Sequence, residues 1–147
     1  TLMKKISLIV ATLLFISCTT TKGTFTKTNL LDNNTFELTE ISTDVTYGFS
    51  EKNPIQVGGV SSDEGPINER RFLNALSGPN GEPVTYYRSG SCCPIKSKSN
   101  PFGGDSVMLD NYRVTWEGSK DTVSIYINMY DTGILKAPKG FTIKDKL

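Results

Sequence analysis

Met108-Leu-Asp-Asn-Tyr-Arg-Val-Thr-Trp116, a break at Gly118-Ser119-Lys120, and Val123-Ser-Ile-Tyr-Ile-Asn-Met129 together decide the fold. Met108, Tyr112, Val114 and Trp116 lie at even spacings, which puts them on one face of a strand, because successive strand side chains point to opposite sides. Val123, Ile125, Ile127 and Met129 resume the alternation after the glycine-containing break. Two alternating runs around a short polar turn predict a long β-hairpin. Tyr126 and Tyr130 fall on its other face, so both faces are expected to be partly covered.

Upstream of this hairpin, Val84, Tyr86 and Tyr87 within 83–88 predict a further strand, set off by an Asn80-Gly81 turn. Before that turn, Pro66 following Gly65 provides a helix start, and Ile67, Phe72, Leu73 and Leu76 form its expected apolar stripe. Gly78-Pro79 is the expected stop. Phe36 and Leu38, then Val45, Tyr47 and Phe49, alternate on either side of Ser42-Thr43-Asp44 and predict a first hairpin. Gly140-Phe141-Thr142-Ile143 offers a short closing strand. Strands dominate, and one helix must cover the apolar face of a sheet. The expected class is therefore α+β, an antiparallel β-sheet with one helix packed on a face; a small β-barrel or sandwich is the alternative.

The chain has 147 residues, 37% of them hydrophobic and 10% aromatic, enough for one domain with its own core. Basic residues number 16 and acidic ones 15, so no nucleic-acid footprint is present. Histidine is absent, which removes the commonest general base, the commonest nitrogen metal ligand and every imidazole-dependent triad. There is no G-x-S-x-G, no S-x-x-K and no nucleotide-type glycine spacing; Gly103-Gly104 reads as a turn. No paired catalytic carboxylates stand out, and Glu69 beside Arg70 and Arg71 is expected in exposed ion pairs. Catalytic, cofactor-binding and metal-ligating residues are accordingly read as none.

At the other end, Met3 is the expected start, followed by Lys4-Lys5 and the eleven-residue apolar run of 6–16. A basic region before an apolar run too short to span a bilayer is signal-peptide architecture. Ser17-Cys18 closes that run and resembles the lipobox of bacterial lipoproteins, which implies cleavage before Cys18 and lipidation of its sulfur by palmitate-type acyl chains. Thr19 after the cysteine resembles lipoproteins sorted to the outer membrane, and the lack of an acidic run after Cys18 points to a periplasm-facing domain. The expected organisation is a signal peptide at 1–17, the lipidated cysteine and a Thr-, Lys- and Asn-rich tether at 18–34, and one globular domain at 35–147.

The stretch 89–106 reads as a long irregular loop, and such loops are functional or disordered more often than short ones. It holds Cys92 and Cys93 side by side, for which three readings stay open: a vicinal disulfide, buried structural thiols, and redox or metal chemistry. Ser91, Lys96, Lys98 and Phe102 are the candidate interaction residues of the loop. Asp105-Ser106-Val107 and Asp121-Thr122-Val123 resemble a short O-glycosylation acceptor motif of Bacteroidota, which marks Ser106 and Thr122.

The segments Leu73-Asn-Ala-Leu-Ser-Gly-Pro-Asn-Gly-Glu82, Gly90-Ser-Cys-Cys-Pro94, Tyr112-Arg-Val-Thr-Trp-Glu-Gly118 and Ala137-Pro-Lys-Gly-Phe141 resemble a family of small lipoproteins in Bacteroidota. Some of its members bear the label 2-dehydro-3-deoxyphosphooctonate aldolase. That enzyme is a (β/α)₈ barrel of roughly 250 residues, which this length and this single helix cannot build. The resemblance implies compartment and boundaries rather than a reaction. Two functions follow as expectations. The first is a membrane-anchored, non-catalytic accessory that docks on an outer-membrane protein or envelope complex. The second is a small-ligand binder or enzyme using the 89–106 loop, with Tyr86, Tyr87, Lys96 or the cysteines lining a pocket.

Overall fold

The computed structural model describes residues 28–145 and shows an α+β domain. Its elements in chain order are β1 (Leu30–Asp32), β2 (Thr35–Phe36), β3 (Ile55–Gln56), α1 (Gly65–Asn74), β4 (Leu76–Ser77), β5 (Val84–Lys96), β6 (Ser106–Trp116), β7 (Val123–Asn128) and β8 (Thr142–Ile143). The central sheet has the order β3-β7-β6-β5. β5, β6 and β7 run antiparallel, and β3 adds in parallel with Ile55 opposite Ile127, so the sheet is mixed at one edge and remains open.

The β6–β7 hairpin forms as the alternation requires. Tyr112 pairs with Ile125 and Val114 with Val123, while Ser119 N donates to Trp116 O across the turn, where Gly118 takes φ 84°. Tyr112, Val114, Ile125 and Ile127 are buried in one core with Phe72 and Leu73 of α1. Met108 departs from the pattern: β7 ends its pairing at Asp110, leaving Met108 exposed, while Val107 and Leu109 are buried.

Helix α1 carries Pro66 in its first turn, which its fixed φ suits. The side it buries is Gly65, Asn68, Glu69, Phe72 and Leu73, spaced as one helical stripe. Ile67 lies off that stripe and is exposed, and Leu76 lies beyond the helix in β4, paired with Ile143 of β8. The helix therefore ends at Asn74, before Gly78-Pro79. Two polar residues inside the stripe shifted its centre away from the expected positions.

The first predicted hairpin does not form. Residues 45–49 are turns, because Asp44 Oδ1 accepts from both the backbone N and the hydroxyl of Thr46, and Gly48 adopts φ 79°. Local side-chain bonding overrides the alternation there. Residues 35–36 pair instead with β1, and Glu37 N donates to Asn29 O, so ordered pairing starts upstream of Thr35. The expected leader, Cys18 and most of the expected tether lie outside the described residues. Among the described residues no helix is long and apolar enough to cross a membrane.

Candidate functional site

The expected loop of 89–106 is largely strand. β5 continues through Lys96, opposite Ser106 of β6, and only 97–105 turns the chain. Sequence patterning missed this because two bulges interrupt the alternation, between Arg88 and Gly90 and between Cys92 and Pro94. Gly90 supplies φ 151° at the first, and Cys93 is forced to φ 58° at the second. Pro94 is tolerated because β5 is an edge strand. Bulges, a proline and charged side chains are the devices that keep such an edge from pairing with another chain.

The tip of the β5–β6 hairpin is built by short polar contacts. Ser97 N donates to Asp105 O, Ser99 N to Ser97 Oγ, Phe102 N to Asn100 Oδ1, and Asn100 Nδ2 to Ser106 O. The tip is also tied to the chain after β7. The buried Ser97 hydroxyl donates to Asp131 Oδ1 at 2.8 Å, and Asn128 Nδ2 donates to Asp131 Oδ2 at 2.8 Å. These bonds offset the burial of the Asp131 carboxyl and hold its pKa below the usual value. On this frame Phe102 is 93% exposed. It borders an apolar recess of about 290 Å³ with Val60, Pro66, Pro101, Met129 and Tyr130.

The other predicted residues scatter around this frame. Lys98 lies in the tip, and Lys96 ends β5; both line a shallow recess with Gln56, Asp105 and Asp131. Ser91 is not a loop residue. It sits on β5 opposite Asp110 and hydrogen-bonds to that carboxylate at 2.9 Å. Tyr86 turns into the domain and donates to Asn74 Oδ1, while its neighbour Tyr87 is exposed on the opposite face, so the two do not line one pocket. Cys92 and Cys93 are half-buried free thiols on the bulged strand. The Cys93 thiol is pushed up to about 12 by its hydrogen bond with Cys92, helped by desolvation and by Glu51, which makes it a poor nucleophile at neutral pH. Ser106 is exposed at the start of β6, and Thr122 is half-buried just before β7. Among the described residues no group of three or more cysteines or carboxylates is placed to hold a metal ion.

A second constellation lies between α1 and the sheet, where none was expected. Glu69 is not in an exposed ion pair; it is 1% exposed, and its Oε2 accepts from Tyr112 Oη at 2.9 Å. Asp110, 4% exposed, is gripped by Arg88 through Nε at 2.7 Å and through a terminal nitrogen at 2.8 Å. Burial raises the Glu69 pKa to about 8, with the Asp110 charge adding to the rise and the Tyr112 hydroxyl opposing it. Both acids were discernible as misfits. Asp110 shares the alternation of Tyr112 and Val114, and Glu69 stands three residues before Phe72 and four before Leu73, so each occupies a core-facing position. Comparison with protein-family models, with curated proteins and with solved structures finds no match to this chain.

Proposed function

We propose that the protein is a lipid-anchored envelope lipoprotein, held at the outer membrane through Cys18 and facing the periplasm, that serves as a non-catalytic accessory by docking its β5–β6 hairpin tip on a membrane protein or envelope assembly. The observation that carries this reading is Phe102, an aromatic side chain 93% exposed on a tip whose backbone is fixed by hydrogen bonds. Aromatic anchors beside apolar recesses dominate binding energy at interfaces, and a fixed tip loses little conformational freedom on association. The guarded edge of β5 points the same way, since it disfavours strand addition and leaves the tip as the contact.

A photo-cross-linking residue in place of Phe102, in cells, is the test, with the same residue in place of the exposed Val45 as reference. The expected result is a discrete adduct with one envelope protein from position 102 and none from 45, and loss of co-purification in Phe102→Ala. No adduct at 102, or the same adducts from both positions, counts against docking by the tip. Separately, Cys18→Ser is expected to release the domain from the membrane fraction; retention would remove the lipid anchor from the proposal.

A further inference from the structure

We propose that the Glu69 and Asp110 carboxyls share one proton in the folded domain and that this proton clasps α1 to the sheet, making the packing of the helix responsive to pH. The geometry requires a donor that the ionised side chains lack. Glu69 Oε2 takes the Tyr112 hydroxyl proton, but Glu69 Oε1 is buried and accepts from no donor. Asp110 already receives two bonds from Arg88 and one from Ser91. Glu69 and Asp110 are 1% and 4% exposed and stand within hydrogen-bonding reach of one another, so two ionised carboxylates there leave an uncompensated charge, which a single proton removes by turning one acceptor into a donor.

The groups around Glu69 are few. β6 contributes Asp110 and Tyr112, and β5 contributes Arg88. β2, β4 and the 60–62 turn also pack against α1, and none of these three carries a titratable side chain. On α1 itself, Arg71 is bound to Glu64, to Asn68 and to the Asn33 carbonyl. Arg70 is exposed and Arg88 is committed to Asp110, so among the described residues no cation is paired with Glu69. The proton therefore stays with the pair at neutral pH, consistent with a Glu69 pKa near 8.

The sign follows from proton counting. Between the ordinary glutamate range and about 8 the folded state binds one proton more than the unfolded chain, so stability falls as pH rises through that window and is fullest on its acid side. For one proton the unfolding constant rises up to tenfold per pH unit. Chemical denaturation of the wild-type domain from pH 5 to 9 is expected to show this slope, and Glu69→Gln, which keeps a donor and cannot ionise, is expected to flatten it. A flat wild-type profile, or an undiminished slope in Glu69→Gln, overturns the proposal. If that variant does not fold, infrared spectroscopy of wild-type protein with ¹³C-carboxyl glutamate and, in a second sample, aspartate serves instead. A carboxylic-acid C=O band at pH 7 that fades above about 8 in either sample supports the clasp, and its absence from both overturns it.

Discussion

The two ends of the β5–β6 hairpin are made stable by different physics. At its base, Tyr86 and Tyr112 meet edge-on at 6.0 Å, Val114 is fully buried, and α1 covers the face with Phe72 and Leu73. Order there comes from apolar area removed from water. At the tip, the only large apolar side chain is Phe102, which is exposed, and order comes from the Ser97 hydroxyl and the Asn100 amide bonding to nearby backbone and from the Ser97 hydroxyl bonding to the Asp131 carboxylate. A base held by packing resists change cooperatively, whereas a tip held by individual bonds can be altered one bond at a time. The division suits a domain that must keep a contact surface in shape without hiding it.

Phe72→Ala is the largest expected break in that contrast. Truncating a fully buried ring should cost about 3–5 kcal/mol by chemical denaturation. A loss below about 1 kcal/mol would mean that the base is not held by packing. Ser97→Ala removes the donor to Asp131 and the acceptor for Ser99 N, and should cost about 1–3 kcal/mol while speeding amide exchange in 97–105 more than in β7. Uniform exchange would merge the two ends into one cooperative unit. Phe102→Ala should change stability by less than about 0.5 kcal/mol, because an exposed ring contributes no burial to lose. A larger cost would show that the ring supports the tip rather than being presented by it.

Legibility followed the same line. The β6–β7 hairpin, the Gly118 turn and the α+β class were readable because each depends on a period that neighbouring residues display together. β5 was readable only as far as Arg88. Beyond it, Gly90, Cys93 and Pro94 break the period locally, yet Asn111 to Ser106 on β6 offer a ladder to pair with. The partner strand, not the sequence of β5, makes 91–96 a strand. At 45–49 the reverse occurred: a clear alternation lost to the Asp44 side chain, with Gly48 O instead accepting from Tyr126 N of β7.

The candidate residues divide in the same way. Phe102 and Lys98 were legible as candidate interaction residues because they stand in a Gly-, Ser- and Asn-rich segment. Glu69 and Asp110 stand 41 positions apart in the chain, and nothing local says that they meet. By itself, then, the sequence determined the hairpin, the class of fold, the absence of imidazole chemistry and the polar composition of the tip, since all of these are local or compositional. Only the tertiary structure decided that β5 runs on through its bulges and that two acids become neighbours under α1. Hydrogen-bond partners and burial are supplied by distant segments, and a carboxyl group shows the same three atoms in the sequence whether water or another carboxyl lies beside it.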